Sequence, residues 1–488
     1  MRAKRNLLMY CLIMVNCMPL QAQMPTWWGK KGAQVVTCRA DLPGEFVMVI
    51  MDTRDRTTDP PATFAVDWAP TAYHGTTWTK GNLGDVFGIA YDGTFNIYVT
   101  ASSGYGMPVN YDGDVTGKYG TGGSGAIYKI NATTGAVTTF ATIPQDQTVE
   151  VRTTAGILQL RDKDNIQVGA GLGNICFDKD HNQFFVTSFD DGKIYRINSS
   201  GTILNSFDPQ TLDLFVPDPS PTNSGANDVI APLGDRVWGI GYYGNRVYFS
   251  AWTEDRGTSN ATDKNRIYSV ALDASGNFSG TERLELTMPN FRLEGGSDAT
   301  FSNPISDIEF DLDGNMLVAE RGMDSDVEAR AHRANGFYFA RSGSGTYTSL
   351  PVYTNTPGYI RVGTQPGNNT GSASGGAAFT YDGYNSTTME ASGNLTYGWF
   401  TGHRLRAPAD DGGPDPDPGS GTGTYLSGSQ MSPVTGFSNP ATFYATSYYV
   451  DFDGNITQTN KTAQGDVDII IGSSCPNPNC TTATIVKN

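Results

Sequence analysis

The chain of 488 residues holds only four histidines and six cysteines, and its 33 basic residues are outnumbered by 49 acidic ones. Each shortage removes a class of function. A formal charge of −16 repels nucleic acid and anionic membrane surfaces, which leaves cations, glycans, proteins or small molecules as partners. His74, His181, His332 and His403 show no ligand-like spacing to the cysteines, so a zinc centre lacks its usual donors. So few imidazoles also leave general-base work to carboxylates. No G-x-S-x-G elbow, H-E-x-x-H pair or P-loop occurs. Past the N-terminus no stretch has the length and uniform apolarity of a transmembrane helix.

At the N-terminus, Arg2, Lys4 and Arg5 precede an apolar run from Leu7 to Leu20, too short to span a bilayer comfortably, and Leu20-Gln21-Ala22 ends in a small residue. This predicts a secretory signal peptide over residues 1–22 and a secreted or cell-surface location. Neither Cys11 nor Cys17 sits in the leucine, small, small, cysteine pattern of a lipoprotein signal. Removing the three basic residues takes the charge from −16 to −19. Of the four remaining cysteines, Cys475 and Cys480 bracket Pro476-Asn477-Pro478-Asn479 and predict a small disulfide loop in an oxidising compartment. Cys38 and Cys176 form a second candidate pair, whose Cα separation the sequence does not give.

What is abundant is turn and strand chemistry: 58 glycines and 26 prolines amid many Thr, Tyr, Val and Phe, with hardly any helical period. The stretch Ile305 to Gly322, ISDIEFDLDGNMLVAERG, reads as a β-hairpin. Ile308 and Phe310 alternate with Asp307, Glu309 and Asp311, Asp313-Gly314-Asn315 supplies the turn, and Met316 to Ala319 restarts an apolar run.

Relatives of this hairpin recur as GDVFGIAYD (Gly84 to Asp92), GLGNICFD (Gly171 to Asp178), RVWGIGYY (Arg236 to Tyr243), GGAAFTYD (Gly375 to Asp382) and GDVDIII (Gly465 to Ile471). Their equivalent apolar positions are read as Ile89, Ile175, Ile240, Ile308, Phe379 and Val467, spaced 86, 65, 68, 71 and 88 residues apart. A four-stranded blade needs roughly 40 to 50 residues, so loops take up the excess, at Gly104 to Gly125, Val149 to Gly169 and Arg406 to Gly423. A second strand follows the first four copies, and third strands follow as AIYKI, KIYRI, RIYSV and GFYFA.

Stacked radially, such sheets bury both faces and protect their edges, so the fold predicted is all-β, a six-bladed β-propeller. The last copy has only its first strand, so the region from about Gln34 to Ala69, with Glu45 to Ile50, is expected to complete that blade. The propeller then spans residues 23–472, and 473–488 form a C-terminal tail.

These residues resemble the six-bladed propellers of the NHL, gluconolactonase and TolB-like type. More narrowly, they are similar to the N-terminal propeller of bacterial surface proteins that continue into Ig-like B repeats of the SdrD kind. NLGDVFGIAYD, GGSGAIYKI, GLGNICFD with VTSFDDGKIYRI, and ISDIEFDLDGNMLVAERG carry the resemblance, which covers most of Asn82 to Gly472. The chain departs from the narrower family where B repeats would follow GDVDIIIGSSC, which puts a stalk role in doubt.

Several constellations are candidates for chemistry. Asp311, Asp313 and Asn315, and likewise Asp451, Asp453 and Asn455, offer alternate oxygen donors suited to calcium, yet neither run reaches a glutamate at the twelfth position. Ordinary hairpin turns are the plainer reading. The acidic run Ala409 to Gly423, with Asp410, Asp411, Asp415 and Asp417, reads as a solvated loop first and a calcium loop second. Asp307, Glu309, Asp466 and Asp468 are expected to line the central channel, with Glu320 and Arg321 near the far end of a second strand. The resemblance to gluconolactonases implies a divalent metal held there that activates water or polarises an ester. Hydration of a propeller's channel explains the same residues without catalysis, and Glu320 with Arg321 also suits a rim salt bridge. Most of the seven tryptophans are expected to pack between blades, and the Asn-x-Ser/Thr sequences to serve as turns.

The function expected first is therefore an exported, non-enzymatic recognition or adhesion module for a protein or glycan ligand. A metal-dependent lactonase or esterase using the channel carboxylates is the alternative. A quinoprotein-like sugar dehydrogenase comes third, without the histidine and arginine cluster it would need.

Overall fold

The computed structural model describes residues 23–56, 68–105, 119–145, 149–153, 156–160, 170–209, 236–252, 265–288, 303–323, 329, 334–349, 359–363, 372–403, 405, 426–437, 443, 446–452 and 463–472. The expected signal peptide, the 406–423 acidic loop and Cys475 with Cys480 lie outside them, as do Asp453 and Asn455.

Six antiparallel four-stranded sheets make six blades. Blade one comprises Val86–Tyr91, Ile97–Ala101, Ala126–Ile130 and Val137–Thr142; blade two, Leu172–Asp178, Gln183–Ser188, Ile194–Asn198 and Ile203–Phe207. Blade three comprises Arg236–Tyr243, Arg246–Trp252, Arg266–Leu272 and Phe278–Thr287; blade four, Ile305–Phe310, Met316–Glu320, Gly336–Arg341 and Tyr347–Ser349. Blade five comprises Ala373–Thr380, Tyr397–Gly402, Gly428–Pro433 and Tyr448–Asp451. In blade six the inner strand Gln464–Ile469 pairs with Ala33–Cys38, followed by Met48–Asp52 and Ala72–Tyr73. The N-terminal region thus completes the last blade, and it extends past Ala69 to Tyr73. Consecutive inner strands touch around the whole ring, including the sixth against the first.

Alternation on each strand places one apolar row on each side of a blade, and these rows meet between blades. Ile308 and Phe310 pack against Tyr243 and Tyr248 of blade three. Val36, Val467 and Ile469 of blade six meet Ala378 and Trp399 of blade five. Trp68, Trp78, Trp238, Trp252 and Trp399 are all fully buried.

Hydroxyls bolt neighbouring blades together near the axis. Second-strand Thr100, Thr187, Ser250, Thr401 and Thr37 accept the N–H of Gly88, Asn174, Gly239, Gly376 and Asp466 on their own inner strands at 2.9–3.0 Å. Each then donates to an inner-strand carbonyl of the next blade: Gly173, Trp238, Ile305, Gly465 and Phe87, at 2.6–2.7 Å. Blade four carries Ala319 at this place, and Ser306 from its inner strand donates instead to Gly375 O at 2.8 Å. Six such bonds, each worth about 1 kcal/mol net, close the ring.

Three expectations are corrected. In blade five the residue equivalent to Ile89 is Ala377, two positions before Phe379: Ala377 pairs with Phe400 as Ile89 pairs with Val99. An irregularity in register between Ala373 and Ala377 displaces the apolar pattern. Cys38 and Cys176 are not bridged to each other, since one lies on the second strand of blade six and the other on the inner strand of blade two. The stretch after Val149 is not all loop, because Val149–Thr153 and Gly156–Leu160 form a hairpin of their own.

Candidate functional site

The inner strands bring two tiers of side chains to the axis. At the first tier the six blades present, in order, Gly88, Asn174, Gly239, Asp307, Gly376 and Asp466, so that glycine alternates with a polar side chain. The glycines are needed for space. A Cβ on Gly88 would stand 2.4 Å from Asn174 Oδ1, and one on Gly376 would stand 2.5 Å from the Val467 nitrogen. Asn174, Asp307 and Asp466 fill the channel between them and are 1–2% exposed.

Their polar atoms are used up. Asp307 Oδ1 accepts from Asn174 Nδ2 at 3.0 Å and from Ile308 N at 2.8 Å, and Oδ2 accepts from Ala377 N of the next blade at 2.8 Å. Asp466 repeats the pattern, with Oδ2 accepting from Ile89 N at 3.0 Å and Oδ1 from Val467 N at 2.9 Å. The two carboxyl groups also interact with one another across the channel. Burial pushes both well above the usual carboxylate range. The Asp466 charge adds to this for Asp307, and the charges of Asp468 and Glu309 do so for Asp466.

Above this waist, at the end where the inner strands begin, Arg321 is only 2% exposed. Its guanidinium donates to the carbonyls of Gly104, Ser374 and Gln464. It also stands 5.4 Å from the centre of the Phe87 ring and 4.7 Å from that of Tyr105. Burial pulls its pKa down to about 10, so it remains a cation at neutral pH. It is therefore a buried cap on the channel and not the expected rim salt bridge. Its neighbour Glu320 accepts the N–H of Asn335 at 3.1 Å.

Below the waist the second tier reads Ala90, Cys176, Gly241, Glu309, Ala378 and Asp468, again alternating small and large. Here the channel opens into a cavity of about 480 Å³. Its walls include Ile89, Ile175, Phe177, Tyr242, Phe310 and Ile469, and the turn residues Lys179 and Asp180 lie at its edge. The Glu309 carboxyl takes the N–H of Phe310, and Asp468 Oδ1 takes that of Ile469 at 2.6 Å. No other described residue is hydrogen-bonded to either. Burial raises Asp468 to about 8 and Glu309 well above its usual range, the latter helped by the charges of Asp468 and Asp307. The Cys176 thiol is pushed up by burial and then by Asp178 and Glu309. Burial pulls Lys179 down to about 8.

The four channel carboxylates expected from sequence are thus brought together, in two tiers of different character, while Glu320 and Arg321 lie toward the other end. The Asp311, Asp313, Asn315 run is a hydrogen-bonded turn. Asp311 Oδ1 accepts from Asp313 N at 3.0 Å and Asn315 N at 2.8 Å, and Oδ2 from Asn315 Nδ2 at 2.6 Å. Gly314 takes φ +80° beside it. Asp410, Asp411, Asp415 and Asp417 lie outside the described residues, and among those described no three His, Cys, Asp or Glu are placed to hold a metal ion. Asn174, Lys179 and Tyr242 were not singled out by sequence, and Cys176 only as a candidate for a disulfide. Aligning the inner strands in their true register, with Ala377 beneath Ile89, would have exposed the alternation that contains Asn174 and Cys176.

No family model matches the chain, and no curated protein does. Solved structures that resemble it include a nidogen/laminin complex, 9% identical over 90% of this chain and 98% of that one, with a TM-score of 0.41. A periplasmic gluconolactonase of Pseudomonas aeruginosa is 10% identical over 90% and 98%, with a TM-score of 0.38. A putative 6-phosphogluconolactonase of Bacteroides uniformis is 11% identical over 90% and 100%, with a TM-score of 0.35. At these identities and TM-scores the likenesses carry no argument about activity.

Proposed function

We propose that the protein is an exported, non-enzymatic propeller that recognises a protein or glycan ligand on or near a bacterial surface. The observation that supports this reading is the state of the channel waist. Asp307 and Asp466, the carboxylates of the waist, are occupied by backbone N–H groups and, at Asp307, by Asn174. A lactonase-type centre needs ionised oxygens with free lone pairs around a metal and an open coordination position. Here those lone pairs hold blades together.

Recognition is assigned to the end of the propeller that carries Arg321. Several connections at the cavity end are short, as at 92–96, 179–182, 244–245 and 311–315, although the one in blade five, 381–396, carries its own hairpin; in sequence, the stretches between one blade's last strand and the next blade's first, 208–235, 288–304 and 350–372, are longer. Long connections on a rigid scaffold are where binding surfaces are usually built.

The test combines metal analysis of the purified mature chain, assays with lactones and esters, and binding to panels of polysaccharides and extracellular proteins. Saturable binding to one panel member, without a stoichiometric divalent ion and without turnover, is the expected result. A bound ion together with lactone or ester turnover abolished by Asp307→Asn would replace this reading with the hydrolase.

A further inference from the structure

The cavity below the waist brings together ionisable groups of both signs, Glu309, Asp468 and Lys179, each half-buried and with few hydrogen-bond partners in the protein. Glu309 and Asp468 project from blades four and six, on either side of Ala378 in blade five. Each takes only the N–H of the residue that follows it. Lys179 stands on the first turn of blade two, across the axis from blade five. Its Nζ is shut off from bulk water and meets no hydrogen-bond acceptor. The nearby Asp180 is engaged by the Tyr242 hydroxyl at 2.8 Å. Between these groups the wall is mostly apolar, formed by Ile89, Ile175, Phe177, Phe310 and Ile469, with Tyr91 and Asn182 among its polar members.

We propose that this cavity binds a small zwitterion of the amino-acid class, its ammonium held between Glu309 and Asp468 and its carboxylate met by Lys179. The volume of about 480 Å³ falls within the roughly 300 to 1,000 Å³ usual for small-ligand pockets. Two carboxyl groups and a thiol at one tier are a poor set for a hard metal ion, which wants six or more oxygens, but suit an ammonium with three donors. The four-carbon stem of Lys179, which lines the cavity, lets its nitrogen turn toward a ligand carboxylate. Burial drives Asp468 and Lys179 toward their neutral forms, and a ligand of opposite charge at each end favours both ions.

The site lies at the opposite end of the propeller from the recognition face, so either can fail without the other. The test is calorimetric titration of the full mature chain with glycine and progressively longer ω-amino acids, beside the alkylamine and the alkanoate of matching length. One chain length is expected to bind saturably, with both singly charged analogues weaker by about tenfold or more. Lys179→Met should bring the zwitterion down to the affinity of the alkylamine. Glu309→Gln with Asp468→Asn should bring it down to that of the alkanoate. Thermal midpoints of the unliganded variants confirm that they fold, and Lys179→Met, at the cavity edge, keeps the test open if the double variant does not. Absence of saturable binding by every probe overturns the proposal, as does an alkylamine that binds as well as the zwitterion and is indifferent to Lys179→Met.

Discussion

Two tiers of the same inner strands, two residues apart, use acidic side chains for opposite ends. At the waist, the glycines let the backbones of adjacent blades come close, and Asp307 and Asp466 receive N–H donors from the next blade. One tier lower, Glu309 and Asp468 face a cavity and receive only the N–H of their own successors. What separates them is the surroundings at each level, a filled waist or an open cavity, not the chemistry of the carboxyl group. Where three side chains close the axis, an acid becomes a structural tie. Where the walls part, the same acid is left for a ligand.

The comparison breaks most readily at Asp307. Replacing it with alanine strands the Ala377 N–H and leaves the Asn174 amide with only Ser306 O to donate to, and should cost about 3 kcal/mol in urea unfolding, against about 1 kcal/mol or less for Glu309→Ala. Equal losses would erase the distinction between tiers. Gly376→Ala forces a Cβ against the Val467 nitrogen and the Asp466 backbone, and should cost about 2 kcal/mol by overpacking. The corresponding change at the lower tier, Gly241→Ala, also meets backbone, 2.4 Å from Ile308 O, so it is no neutral control.

The pH dependence sharpens the contrast further. A carboxyl whose folded pKa is raised binds its proton more tightly in the folded state. Its stabilising effect is full below the ordinary carboxylate pKa and is lost as pH rises through the folded value, near 8 for Asp468. Asp468→Asn should therefore raise the urea midpoint at pH 9 relative to wild type and do little at pH 4. The smallest effect belongs to the turn. Asp313→Ala should change stability by within about 0.5 kcal/mol, and added calcium should not alter that difference.

Much of the ring was legible in the chain. Period-two alternation, turn residues such as Asp313-Gly314-Asn315, and five further copies of one inner strand sufficed for the blade count and for closure by the N-terminal region. The carboxylates at 307, 309, 466 and 468 were legible for the same reason, since acid on the non-apolar side of an inner strand must face the axis. What stayed hidden depended on partners distant in sequence. Arg321 looked like a rim residue because its carbonyl acceptors, Gly104, Ser374 and Gln464, belong to three other blades. The division of the carboxylates into tied and untied depends likewise on Asn174 and on the next blade's N–H groups. Lys179 escaped notice because nothing in a turn lysine's neighbours in sequence announces that its nitrogen will be covered.

Closure of the ring sets an order of events as well as a shape. Blades one to five are successive hairpins, but the inner strand Gln464–Ile469 must find Ala33–Cys38, and the bond from Asp466 N to Thr37 spans 429 residues. That pairing carries the largest loop-closure entropy in the molecule and should come late. Until it forms, the strand Ala33–Cys38 presents an unsatisfied edge, a template that the Gln464–Ile469 strand of a second copy fits as well as its own. Refolding from urea at high protein concentration should accordingly yield domain-swapped dimers, separable by size-exclusion chromatography, that dilute refolding avoids.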